Sequence, residues 1–69
     1  MTLEDYRAQF GWSKAEMARQ SRVDTNTLSK ALDGEAVTVN SANKIARAIS
    51  RELGQTIRAQ DIEGLKIIE

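Results

Sequence analysis

Apolar residues recur along this chain at the three-to-four-residue spacing of amphipathic helices. The first helical segment follows Thr2, a candidate cap, and stops at Gly11, with apolar positions at Leu3, Tyr6 and Phe10. The alternation of polar and apolar residues that is typical of strands is weak throughout. The pattern therefore predicts an all-α fold, a compact bundle of four to five short helices.

The second helix begins with the capping-box sequence SKAE at 13–16. In such a box the first and last side chains, here those of Ser13 and Glu16, each bind a backbone amide that the first helical turn leaves free. Trp12 and Met17 flank the cap at the spacing of a hydrophobic staple. We interpret Ser13 as a cap and not as a nucleophile, because the chain has no histidine to activate it.

The third helix repeats this arrangement. Asp24 is its candidate cap, and Val23 and Leu28 have staple spacing. Gly34 suits the left-handed conformation in which many helices end. Only about three residues separate this helix from the second one, and two short helices joined so tightly are typical of a helix-turn-helix, predicted here at about 13–34.

A longer fourth helix is predicted between Thr38, its candidate cap, and Gly54. A short fifth helical turn is predicted within 56–63, with Ile57 and Ile62 directed inward. The apolar face of the fourth helix comprises Val39, Ala42, Ile45, Ala46, Ile49 and Leu53.

The composition of the 69-residue chain narrows its chemistry. Its length suits a single domain, 1–69, and the absence of cysteine and histidine excludes disulfides and the usual zinc sites. Apolar runs are too short to cross a bilayer, and Glu4 and Asp5 occupy positions where a secretory signal is basic. We expect a cytoplasmic protein without cofactor, metal, membrane attachment or enzymatic activity.

The net charge is zero, although nucleic-acid-binding domains usually carry a basic surface. The balance is uneven, because residues 13–30 hold four basic side chains against two acidic ones, an excess of +2. An ordinary mixed surface accounts for this charge pattern equally well.

Residues 12–34, WSKAEMARQSRVDTNTLSKALDG, resemble the helix-turn-helix of the lambda repressor and Cro family, also called Xre-type regulators. The family's apolar position, hydroxyl cap and apolar-alanine pair match Trp12, Ser13, Met17 and Ala18. The resemblance extends to about Leu53. It implies a lambda repressor-like helical bundle and a sequence-specific, DNA-binding transcriptional regulator, with repression as the expected activity.

In this interpretation the third helix, 25–33, enters the major groove of DNA. Asparagine can pair with adenine, lysine can reach guanine, and a threonine methyl can touch that of thymine. The predicted base-reading residues are Thr25, Asn26, Ser29 and Lys30, and the predicted phosphate contacts are Lys14, Arg22, Thr27, Asn40 and Asn43. Alternatively, the exposed side chains of this helix are only the polar side of an amphipathic helix.

Two features depart from the family pattern. Arg22 occupies the turn position where the family usually has glycine, and a left-handed conformation costs a non-glycine residue about 1–2 kcal/mol. We therefore expect a turn of slightly different shape. Asp33 and Glu35 flank the end of the predicted reading helix, where we expect their charge to repel phosphates and lower the affinity for DNA.

The predicted partner is double-stranded DNA, bound by a homodimer on a pseudo-palindromic site. An apolar tail, 64–69, offers Leu65, Ile67 and Ile68 as a candidate dimer contact; alternatively, the tail covers the chain's own core. A different class of function also stays open. The neutral charge permits a protein-interaction module or an antitoxin built on the same helix-turn-helix.

Overall fold

The computed structural model describes residues 1–68 and arranges four α-helices and two short strands around one core. In chain order these are α1 (Leu3–Phe10), α2 (Lys14–Ser21), α3 (Thr25–Leu32), β1 (Ala36–Thr38), α4 (Val39–Leu53), a 3-10 turn (Ala59–Asp61) and β2 (Lys66–Ile68). The fold is mostly helical, as predicted, but the strands show that the all-α prediction is wrong in part. No helix among these residues combines the length and the hydropathy that a membrane span requires.

The α-helices begin where the sequence predicts, because a side chain caps each first turn. The Ser13 hydroxyl accepts a hydrogen bond from the Glu16 amide at 3.1 Å, and the Asp24 carboxylate accepts one from the Thr27 amide at 2.6 Å. The equivalent bonds at α1 and α4 are made by Thr2 and Thr38.

At α2 the capping-box prediction is wrong in one of its two bonds, because the Glu16 side chain does not accept from the Ser13 amide. The Glu16 carboxylate pairs with the guanidinium of Arg19 and accepts a hydrogen bond from the side-chain amide of Gln20 at 2.8 Å. A charged guanidinium one turn along the helix is a stronger partner than a neutral backbone amide. A complete box occurs instead at α1, where the Thr2 amide donates to Asp5 at 2.9 Å.

The core is built from one side of each helix. The predicted staples contribute to it, since Met17 and Leu28 are fully buried and Trp12 and Val23 pack half-buried against them and their neighbours. Val39, the first residue of α4, was predicted on the apolar face of the helix, but 55% of it is exposed. The other apolar positions of that helix face inward, as predicted: Ala42, Ile45, Ala46, Ile49 and, half-buried, Leu53.

β1 and β2 form a two-stranded parallel sheet. Val37 lies opposite Ile67 at the centre of the register, and the Val37 side chain is buried. An isolated parallel bridge between Thr2 and Glu63 continues the connection to the start of the chain. Half of the predicted apolar tail, residues 66–68, is therefore a strand that pairs with its own chain. Position 69 of that tail lies outside the described residues.

The predicted fifth helical turn is present in a shorter form. It spans Ala59–Asp61 as a 3-10 turn, and Ile62, which follows it, is buried. Ile57 is half-buried against the core, as predicted. Ser50 of α4 fixes this segment, because its hydroxyl accepts a hydrogen bond from the Ile57 amide at 2.8 Å. The single hydroxyl hydrogen lies within reach of two carbonyls, those of Ala46 at 2.8 Å and Ile57 at 2.9 Å.

Candidate nucleic-acid interface

The short link between α2 and α3 determines how α3 is presented. Arg22 follows α2 with φ 59° and ψ 36°, and its amide donates to the last carbonyls of α2. It is the one residue other than glycine with a positive φ among residues 1–68. Arg22 thus adopts the left-handed conformation for which glycine is usually chosen, and the chain accepts the energetic cost of that conformation.

α3 has one side in the core and the other in solvent. Leu28 and Ala31 are buried, with exposed fractions of 0% and 4%. Thr25, Asn26 and Lys30 are exposed, and the remaining predicted base-reading residue, Ser29, is half-buried at the border between the two sides. The structure therefore brings the predicted base-reading residues together on or beside one exposed face.

The N-terminus of α3 carries a carboxylate of the chain itself. Contact with the Thr27 side chain, then its hydrogen bond from the Thr27 amide, and then the charge of Lys30 lower the pKa of Asp24. Asp24 is consequently ionised at neutral pH and occupies the place where a helix N-terminus attracts anions. A phosphate that approaches this end of α3 meets a negative charge.

The N-terminus of α2 is also close to an acidic group. Lys14 is exposed at the first residue of the helix. The pKa of Glu4 is lowered first by its hydrogen bond with Arg7 and to a smaller extent by the charge of Lys14. The Lys14 ammonium is free to contact a phosphate, but part of its field is cancelled by this neighbour.

The predicted phosphate contacts are spread over several surface hollows. Thr27 and Lys30 border a hollow of about 170 Å³ beside β1. Asn43 borders one of about 400 Å³ between α4 and the 3-10 turn, and Arg22 borders one of about 350 Å³ between α2 and α4. Asn40 is exposed on the first turn of α4. These side chains therefore do not converge on one site.

Sequence reasoning missed several polar residues that border the same hollows. Thr38 and Ser41 lie beside Thr27 and Lys30, and three cations of α4 lie beside Arg22: Lys44, Arg47 and Arg51. The spacing of those cations, three and then four residues, is the signal that could have found them. The spacing indicates a shared site with Arg22 only if the end of α2 lies opposite these cations. That arrangement cannot be read from the sequence.

The predicted dimer contacts are only partly available to another molecule. Leu65 and Ile67 are half-buried against the chain's own core, whereas 55% of Ile68 is exposed. The tail thus covers the core, as the alternative interpretation expected, and Ile68 projects from it. Association through this surface stays a prediction.

Within residues 1–68, no group of acidic side chains is arranged to hold a metal ion. Comparison of the chain with protein-family models, curated proteins and solved structures gave no significant match.

Proposed function

We propose that this chain is a sequence-specific, double-stranded-DNA-binding regulator of transcription, acting as a repressor. In this proposal α2, the turn at Arg22 and α3 work as a helix-turn-helix. The observation that carries the proposal is the presentation of α3, which is anchored in the core by Leu28 and directs Thr25, Asn26 and Lys30 to solvent. A helix with an exposed polar side fits the width of the major groove.

The exposed side chains of α3 match the chemistry of base edges. Asn26 can pair with adenine through its donor and acceptor together, and Lys30 can donate to guanine. The methyl group of Thr25 can contact the methyl group of thymine. Lys14 and Arg22, both exposed, supply contacts to the backbone, which set the register of the protein on DNA.

A dimer is part of the proposal, because one short helix reads few bases. Two copies on a pseudo-palindromic site would place their α3 helices about one helical turn apart. Ile68 is the candidate contact between copies, since it is apolar and exposed. A cytoplasmic location also belongs to the proposal, because the protein must reach chromosomal DNA.

The proposal is tested by measuring fluorescence anisotropy of labelled duplexes, drawn from a randomised pool and from DNA flanking the chain's own gene. We expect enrichment of a defined sequence. The logarithm of the binding constant should fall with the logarithm of salt concentration by about 0.9 for each phosphate neutralised. If no duplex from either source binds above the level of a scrambled control, the proposal is wrong.

Base reading is tested by Asn26→Ala, with Gln60→Ala as a control because Gln60 is an exposed amide outside α3. Asn26→Ala should cost about 1–3 kcal/mol of binding free energy. The cost should vanish on DNA sites in which the one base pair that Asn26 reads has been changed, because the contact is then already lost. Gln60→Ala should leave the affinity unchanged on every site. A loss that is equal on all sequences would assign Asn26 to the phosphate backbone instead.

A protein partner is the second candidate function. Acidic residues at both ends of α3, Asp24 before it and Asp33 with Glu35 after it, favour this candidate because they repel DNA phosphates. An antitoxin would combine both functions. Failure of all duplexes to bind, in a protein whose amide spectrum is that of a folded domain, would favour this second candidate.

A further inference from the structure

Four of the ten lysine and arginine residues of the chain border one hollow at the seam between α2 and α4. Its volume is about 350 Å³, and no acidic side chain lines it. This concentration of one charge is notable in a chain whose net charge is zero. We call the hollow the α2–α4 groove; its residues are Gln20, Ser21, Arg22, Lys44, Arg47 and Arg51.

The cations of the α2–α4 groove have no carboxylate partner within residues 1–68. The side-chain ion pairs of this part of the chain lie elsewhere, on Arg7, Arg19 and Arg58. Arg51 uses one N–H to donate to the Gln20 carbonyl at 3.0 Å, which ties its guanidinium to the end of α2 and leaves further donors free. The groove therefore holds positive charge that no ion pair within residues 1–68 neutralises.

A buried polar side chain lines the same groove. Ser21 is 2% exposed, and its hydroxyl has no hydrogen-bond partner among the described residues. Buried hydroxyls are nearly always paired, because an unpaired one keeps the cost of losing water without a compensating bond. Three carbonyls at the end of α2, which would repel an anion, already accept hydrogen bonds: Ala18 from the Val23 amide, Arg19 from the Arg22 amide and Gln20 from the Arg51 guanidinium.

We propose that the α2–α4 groove is a binding site for a phosphate group. Guanidinium groups present paired N–H donors that match two phosphate oxygens, and Lys44 adds a compact charge beside Arg22, Arg47 and Arg51. The phosphate can belong to a nucleic-acid backbone or to a free phosphorylated small molecule, since both present the same oxygens. The site is separate from the α3 hollow lined by Thr27 and Lys30, and it does not depend on base reading by α3.

The first experiment titrates the folded chain with inorganic pyrophosphate at constant ionic strength and follows its backbone amide spectrum. We expect saturable shifts that centre on Arg22, Lys44, Arg47 and Arg51. Shifts that rise without saturation, or that spread over all exposed cations, would show diffuse attraction of counter-ions and overturn the proposal.

A matched pair of double variants removes the effect of net charge. Lys44→Gln with Arg47→Gln removes two cations from the groove, and Arg58→Gln with Lys66→Gln removes two exposed cations outside it. The groove variant should lose about ten-fold or more in pyrophosphate affinity, and the control less than about two-fold. Equal losses in the two variants would overturn the proposal. All four side chains are exposed, so both variants should fold, and their amide spectra verify this.

A second experiment identifies the source of the phosphate. A DNA duplex of about two helical turns is added to the protein with pyrophosphate bound. Release of pyrophosphate assigns the groove to a nucleic-acid backbone, whereas retention with duplex bound assigns it to a free phosphorylated compound. If no duplex binds while pyrophosphate still saturates the groove, the DNA-binding proposal fails and the phosphate site stands.

Discussion

The exposed side of α3 and the α2–α4 groove differ in the kind of polar group that they present. The α3 side has hydrogen-bonding side chains with one cation, Lys30, and negative groups at both ends of the helix. The groove has four cations and no lining carboxylate. The first surface can distinguish partners by the pattern of donors and acceptors, and the second can attract them by charge.

This difference shows why net charge is a poor guide to the partners of a small domain. Base edges are distinguished by the positions of donors and acceptors, which need little charge, while phosphates are held mainly by cations. The two requirements can be met on separate parts of the surface. A chain with zero net charge can therefore keep a locally strong positive field.

The largest expected effect comes from removing the core anchor of α3. Leu28→Ala should lower the free energy of unfolding by about 3 kcal/mol, because Leu28 is fully buried and its loss leaves a cavity. Val39→Ala is the control, since 55% of that side chain is exposed, and it should change the free energy by less than about 0.5 kcal/mol. Urea unfolding measures both variants. Similar values for the two would contradict the assignment of Leu28 as the anchor.

A smaller effect on the free energy of unfolding distinguishes Ser21, which lines the groove at the end of α2, from Ser50 of α4. Ser21→Ala should raise the free energy of unfolding by about 1 kcal/mol, because it removes a buried hydroxyl that has no partner. Ser50→Ala should lower it by about 1–2 kcal/mol, because the Ser50 hydroxyl accepts from the Ile57 amide and donates to a neighbouring carbonyl, that of Ala46 or of Ile57. Thermal and urea unfolding report both changes, and destabilisation by Ser21→Ala would mean that its hydroxyl is paired in solution.

The smallest effect concerns the acid at the start of α3 and appears on lowering the pH. The folded state holds the pKa of Asp24 below its ordinary value through contacts with Thr27. Its contribution to stability is therefore complete at neutral pH and is lost as the pH falls from about 5 through the lowered pKa. Asp24→Ser keeps a capping oxygen without the charge, so its unfolding temperature should fall less between pH 7 and pH 3.

Parallel declines of the unfolding temperature in the two proteins would refute the role given to the Asp24 charge. Asp24→Ser should also strengthen binding to duplex DNA at low salt, because it removes one negative charge from the α3 side. An unchanged affinity would mean that this charge lies far from the bound phosphates.

The helices could be predicted from the sequence because their signals are local. Thr2, Ser13, Asp24 and Thr38 each act on an amide three residues away, so a short stretch of sequence holds the whole interaction. Where two local partners compete, the prediction fails. The pairing of Glu16 with Arg19 is such a case, since both the cap and the cation lie within one turn of the carboxylate.

The strands and the groove could not be predicted in the same way. β1 and β2 have three residues each, too few to show alternation, and Ala36 meets Lys66 only after α4 has crossed between them. The α2–α4 groove similarly needs the end of α2 to lie beside Lys44 and Arg47. The exposed residues of α3 were predictable, because the helical period alone separates Thr25 and Asn26 from the buried Leu28.

From the parallel strand pair we also expect a particular order in which the chain becomes stable during synthesis. Helices of eight residues are marginal alone, so α2 and α3 hold their shape only once α4 supplies Ile45 and Ile49 to the core. β1 pairs later still, because its partner β2 is synthesised after α4. Such a distant pairing must also close a long loop. The bridge between Thr2 and Glu63 is also a late contact, because it cannot form before residue 63 has been made.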